Sequence, residues 1–274
     1  MTTQPPTRVI ADAPVQADGD SIEDRLQGLR RFNLLMGILH LGQGLVMLAL
    51  SNAFTLPVLG SFLELDPGRG LIPEPRTLFE LRVGPLVAAF LFISAAAHLL
   101  LASPAVFLWY ARNLRRGINH ARWIEYSISS SLMIVIIAML TGIYDVAALL
   151  GLFAANTAMI LFGWMMELHN QTTERTNWTS FWFGVLLGAV PWIAIGIYLV
   201  GSASGPGGPP AFVYWIYGSM FVFFNVFAVN MALQYRRVGS WRDYLYGERA
   251  YIVLSLVAKS LLAWQVFAGT LRPA

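Results

Sequence analysis

Seven apolar runs of membrane-spanning length, at 31–51, 80–103, 119–142, 145–168, 180–201, 211–235 and 247–269, constrain this 274-residue chain more than any other feature. Each is close to the roughly 20 residues a helix needs to cross the hydrocarbon core. With 57% hydrophobic and 12% charged residues, the composition lies far from that of a soluble domain. The fold expected is an all-α membrane protein with a seven-helix transmembrane bundle in a lipid bilayer. The net charge is only +3 and the arginines sit between the apolar runs, an arrangement that argues against nucleic-acid binding. The absence of cysteine excludes a disulfide framework, a thiolate nucleophile and a cysteine-based metal site.

Residues 1–20 are polar, lack a charged start followed by an apolar core, and read as a disordered cytoplasmic tail instead of a signal peptide. Residues 21–274 form the membrane domain. It opens with Ser21-Ile22-Glu23-Asp24, which resembles a capping box and starts a short amphipathic stretch ahead of the first span. The connection 52–79 combines Pro and Gly with alternating apolar residues, the pattern of a small hairpin outside the membrane. Pro85 and Pro191 fall within runs and are candidates for kinks.

Charge counting sets an orientation. The tail and the connections after spans two, four and six carry thirteen arginines: Arg8, Arg25, Arg30, Arg31, Arg112, Arg115, Arg116, Arg122, Arg175, Arg236, Arg237, Arg242 and Arg249. The other side carries Arg69, Arg76, Arg82 and Arg272. By the positive-inside rule the N-terminus is cytoplasmic and the C-terminus outside.

The one remaining basic side chain is Lys259, the only lysine, inside the run Ala250 to Ala268. A cation at that depth is costly and calls for a partner. At about 1.5 Å per residue from Arg116 and Arg249, Glu125 lies about 13 Å and Lys259 about 15 Å into the membrane from the same face. Two opposite charges at one level of a bundle are natural partners. A purely structural ion pair is one reading, but every other basic position is Arg, the better fork for a carboxylate. Lysine alone can form an imine with an aldehyde cofactor, for which Glu125 would serve as counter-ion.

Other polar residues cluster around these two. Ser255 lies one turn before Lys259; Ser129, Tyr126 and Ser130 make a polar strip beside Glu125. Serines in membrane helices also simply return their hydroxyls to an upstream carbonyl, which applies equally to Ser127 and Ser131. His40 and His98 are candidate proton acceptors or core residues, and no third ligand stands at metal-site spacing. The weak Gly184-to-Gly188 spacing and Gly163 permit close approach of a ligand or helix. Glu125 is the only carboxylate in the third span, and a pump needs carboxylates on both sides of an imine. Asp145, Glu80, Glu167 and Glu248 stand at span ends, where solvated or Arg-paired surface charge is the ordinary explanation.

The chain resembles the heliorhodopsins, retinal-binding relatives of the microbial rhodopsins. The resemblance rests on Arg122-Trp-Ile-Glu-Tyr-Ser-Ile-Ser-Ser-Ser131, Asn156-Thr-Ala-Met-Ile-Leu-Phe-Gly-Trp164, Phe181-Trp-Phe-Gly184 with Pro191-Trp192, and Gly247-Glu-Arg-Ala-Tyr-Ile-Val-Leu-Ser-Leu-Val-Ala-Lys-Ser260. It covers most of Arg31 to Thr270. It implies all-trans-retinal bound covalently to Lys259, Glu125 as the Schiff-base counter-ion, and Ser255 beside the imine. It further implies His40 and His98 in a polar cavity, and Tyr126, Ser130, Met159, Gly163, Trp182 and Phe224 in the retinal pocket. An inverted topology with a cytoplasmic N-terminus, a homodimer in the cell membrane, and light sensing through a cytoplasmic signalling partner without enzymatic activity or ion pumping are also implied. Two alternatives stay open on the residues: a light-gated channel or transporter on the same scaffold, and a colourless protein with a structural Lys259–Glu125 pair.

Overall fold

The computed structural model describes residues 21–205 and 207–271. The expected tail at 1–20, with Arg8, and the terminal Arg272 lie outside the described residues. Ten elements follow one another: α1 (Ile22–Leu50), β1 (Thr55–Asp66), β2 (Gly70–Arg82), α2 (Val83–Ala102), α3 (Pro104–Arg115), α4 (His120–Leu140), α5 (Val146–His169), α6 (Thr179–Ala203), α7 (Ala211–Tyr235) and α8 (Tyr244–Val266). Among the described residues, seven helices are long and apolar enough to cross a membrane, α8 continuing to Leu271 through a wide turn at Phe267–Leu271.

Side-chain caps set where four of these helices begin. Ser21, Asn119, Asp145 and Asp243 each accept a hydrogen bond from a first-turn N–H of α1, α4, α5 and α8, a group that would otherwise lack a partner. The capping box at Ser21 starts one continuous 29-residue helix, so the expected amphipathic stretch and first span are a single element. The second span begins at Val83, not 80, because Glu80, Leu81 and Arg82 belong to β2. Pro85 therefore falls in the first turn of α2, where the missing N–H has no helical acceptor to lose. Pro191 is inside α6.

The 52–79 connection and three residues beyond it form a two-stranded antiparallel hairpin, β1 against β2, with Asp66 opposite Gly70. Asp66 closes the turn by accepting from the N–H groups of Gly68 (2.9 Å) and Arg69 (2.8 Å), and these donors hold its carboxyl below the usual range. Gly70 takes a φ of 78°, which glycine adopts without steric penalty. Pro57, Pro73 and Pro75 are tolerated because each strand of a two-stranded sheet is an edge. The root is fixed by Leu56 and Val58, buried against Val83, Val87 and Ile143, and by the Leu59 N–H on the Tyr144 carbonyl at 2.9 Å.

Interhelix contacts define two ends. Arg25 pairs with Asp243, Arg115 with Glu23, and Asn119 donates to Glu248; the arginine-rich connections thus share one end. Asn52 donates to the Thr270 carbonyl at the hairpin end. Helix α4 is central: 67% of its apolar window is buried, against 17% for α5 and α7. Leucines, isoleucines and valines cover the outer faces, Leu186, Ile193 and Ile197 being more than 60% exposed, as a lipid-facing surface requires.

Candidate functional site

Lys259 and Glu125 meet in the middle of the bundle. Nζ of Lys259 donates to Oε1 of Glu125 at 3.0 Å and to Oγ of Ser255 at 2.8 Å. Both charged side chains are buried. Ser94 of α2, one serine among apolar neighbours and not among the expected site residues, donates to the same Glu125 oxygen at 2.6 Å. The ammonium also lies 5.0 Å from the ring centre of Tyr126, whose hydroxyl donates to the Tyr251 carbonyl at 2.9 Å. One charged pair with three polar neighbours is compensated where either charge alone would not be.

An apolar slot opens from this pair. It encloses about 50 Å³ and is lined by Tyr126, Ser130, Met133, Met159, Ile160, Phe224, Phe227, Ser255, Ala258 and Lys259. Of the expected pocket residues, Tyr126, Ser130, Met159, Phe224 and Ser255 therefore converge there. Gly163 is not among the lining residues; a Cβ there would come within 2.6 Å of the Trp123 ring. Trp182 is not brought in: it faces outward, 62% exposed, against Phe181. The inward tryptophan of α6 is Trp192, 5.3 Å edge-to-face from Phe224. Composition does not distinguish two tryptophans on a helix that is apolar all round, and packing decides which turns in.

The serine strip divides. Ser127, Ser130 and Ser131 return their hydroxyls to the carbonyls of Ile124, Tyr126 and Ser127. Ser130 and Ser131 also receive the Asn156 amide at 2.8 and 3.0 Å, tying α4 to α5. Ser129 is wholly buried on the Glu125 face.

On the side of the basic end, Glu125 borders a small polar cavity with Asn33, His98, Tyr110, Asn119, Arg122 and Glu248. Nδ1 of His98 is 2.7 Å from Oδ1 of Asn33. His40 stacks on His98, centroids 5.6 Å apart and planes within 7°. Burial pushes the Tyr110 hydroxyl up to about 12, which keeps it neutral. Among the described residues no cluster of three metal-ligating side chains occurs.

The cavity is closed by a cluster the sequence reading assigned to the surface. Arg122 pairs with both Glu167 and Glu248, and the three are 6%, 2% and 0% exposed. Trp123 Nε1 and the Asn119 N–H also donate to Glu167, at 2.6 and 3.0 Å. Glu167 and Glu248 are Arg-paired as expected, but inside the bundle. Their nearness to run ends concealed this, because α3 and the capped start of α4 cover the end of the bundle. Asp145 and Glu80 do lie at the periphery, as the α5 cap and as acceptor for Thr55 at 2.7 Å.

The arrangement thus joins a lone amine, a carboxylate partner, an apolar slot on one side and a polar cavity on the other. No curated protein matches the chain. The family model of the heliorhodopsins matches residues 29–271, nearly its whole length. With that match across all seven spanning helices, the chain belongs to the heliorhodopsin family, and is a retinal-binding, light-sensing, multi-pass membrane protein.

Proposed function

We propose that Lys259 carries all-trans-retinal as a protonated Schiff base with Glu125 as counter-ion, and that the protein signals to a cytoplasmic partner without moving ions across the membrane. The observation that carries this reading is the pairing of the chain's only lysine with a buried carboxylate at the head of an apolar slot. Retinal, when bound, supplies visible absorption and a light-driven change of shape.

The residues fit such a group. The slot is lined by apolar side chains apart from Ser130 and the group at Lys259, where Ser255 and Tyr126 stand. Its 50 Å³ is less than the cofactor needs, but Met133 and Met159 line it, and methionine side chains rearrange readily. Glu125 stabilises positive charge at Nζ, Ser94 fixes the carboxylate, and Ser255 orients the nitrogen. A proton leaving Nζ has Glu125, then the cavity with His98, and His40 stacked behind it.

Glu125 borders the polar cavity toward the basic end, whereas on the hairpin side, past Ser130, Ser131 and Asn156, Phe90, Leu91, Ile134, Ile137, Leu262 and Val266 are packed at 0% exposure. A proton that leaves and returns on one side does no vectorial work. This supports sensing over pumping. The arginine asymmetry supports a cytoplasmic basic end and N-terminus, and the family resemblance supports a homodimer.

Reconstitution of the full chain with all-trans-retinal tests the reading. A visible band is expected, lost in Lys259→Ala, with no sustained photocurrent under voltage clamp. A band that survives in Lys259→Ala without added amine removes the chromophore assignment, and a sustained current removes the sensory one.

A further inference from the structure

Helix α3 reaches the photochemical site only through Tyr110, yet its outer surface is patterned. Its inner face, Phe107, Tyr110, Ala111 and Leu114, is at most 3% exposed and packs on Leu26, Leu29 and Leu101. On its outer side Leu108 and Trp109 are 70% and 42% exposed, beside exposed Arg112 and the exposed C-cap residue Arg116. At 3.6 residues per turn these four fall within one arc of about 100°. Arg112 and Arg116 form no ion pair among the described residues, while the nearby carboxylates Glu23, Glu167 and Glu248 are already held by Arg115 and Arg122.

Ring contacts fix the level of this arc. Trp109 lies 6.0 Å from His120, and His120 lies 5.4 Å from Trp164, whose Nε1 donates to it at 3.0 Å. Next to Trp164 on α5, Met165 and Leu168 are 48% and 40% exposed, on a helix long and apolar enough to cross the bilayer. An aromatic group at the end of such a surface marks the hydrocarbon boundary. Leu108 and Trp109 therefore stand beside an aromatic group at the end of the exposed apolar face of α5, with Arg112 and Arg116 in the same arc. An apolar stripe interleaved with arginine is the pattern of an interfacial helix, and its basic face favours anionic lipid.

We infer that the outer arc of α3 binds the phosphate headgroups of anionic phospholipids, through Arg112 and Arg116 with Leu108 and Trp109 embedded beneath them. Which leaflet this is rests on the proposed orientation; the binding itself depends neither on orientation nor on the role of Lys259. Tyr110, on the opposite face of the same helix, lines the polar cavity beside Glu125, so a bound headgroup lies one helix away from the site.

The test uses the full chain reconstituted in vesicles of phosphatidylcholine and phosphatidylglycerol in equal parts, then extracted in mild detergent, with retained lipid measured by mass spectrometry. Phosphatidylglycerol should be retained in preference to phosphatidylcholine, less so as salt rises. The Arg112→Gln, Arg116→Gln pair should lower that preference by about twenty-five-fold, from about fivefold per basic group. Arg112→Lys with Arg116→Lys should keep most of it, and Arg236→Gln with Arg237→Gln, at the same end but off α3, should keep it too. Equal retention of both lipids by the unaltered chain, or a salt-insensitive preference, would overturn the inference, the first result leaving the arc to an acidic protein. So would an undiminished preference in the α3 Gln pair, or an equal loss in the α7-end pair.

Discussion

Ser94 and Lys259 meet at a single atom, Oε1 of Glu125, from 2.6 and 3.0 Å. The carboxylate is therefore held by α2 as well as by its charge partner on α8. Two donors on one oxygen set both where the negative charge lies and how concentrated it is. This geometry makes opposite predictions for Glu125 and for Ser94, which holds its carboxylate.

Glu125→Gln should move the absorption of the retinal-loaded protein to longer wavelength, because a fixed anion no longer favours positive charge on the nitrogen. Ser94→Ala should give a smaller shift to shorter wavelength, because the carboxylate loses a hydrogen bond that disperses its charge. Absorption spectra of the two variants check both signs. An unchanged Glu125→Gln spectrum would show that another group neutralises the nitrogen.

The Arg122 cluster should behave as a buried network. Arg122→Ala leaves Glu167 and Glu248 as unpaired buried carboxylates, an arrangement that costs about 3–5 kcal/mol. Thermal unfolding in detergent should show that loss, and Glu167→Gln with Glu248→Gln in the Arg122→Ala background should recover much of it. A stability unchanged by Arg122→Ala would mean the cluster is hydrated in solution.

Gly188 should tolerate substitution only if Met159 yields. A Cβ there would sit 2.5 Å from Sδ of Met159, which also lines the slot. Gly188→Val should destabilise the α5–α6 contact by about 1–3 kcal/mol and shift the absorption of the retinal-loaded protein by pressing Met159 inward. Met159→Ala in the same chain should relieve both effects. Unfolding midpoints and spectra of the single and double variants decide it.

Orientation is directly measurable because the chain has no cysteine. Gly68→Cys, in the exposed hairpin turn, should react in intact cells with a maleimide that cannot cross membranes. Ser240→Cys, exposed at the basic end, should react only after lysis. The reverse pattern would put the N-terminus outside.

Much of this was readable without coordinates because a bilayer imposes length and polarity on each span. The seven runs and the shared depth of Glu125 and Lys259 follow from counting residues against a fixed thickness, and the Ser21 cap from its local residue pattern. What escaped depended on neighbours. Helix α3 lies in a connection whose apolar residues are too few to span, and only its packing on Leu26, Leu29 and Leu101 makes Phe107, Tyr110 and Leu114 a buried face. Glu167 and Glu248 read as surface charge until the same closure buries them on Arg122. Ser94 was one serine among apolar residues, and Trp182 and Trp192 were equivalent by composition. Sequence alone determined the membrane architecture and the single amine at its centre, since those are set by one-dimensional hydrophobicity and charge. The partners of that amine's carboxylate, the sealed side of the bundle and the aromatic residues that line the slot were decided by tertiary structure, because they depend on how helices far apart in the chain turn their faces toward one another.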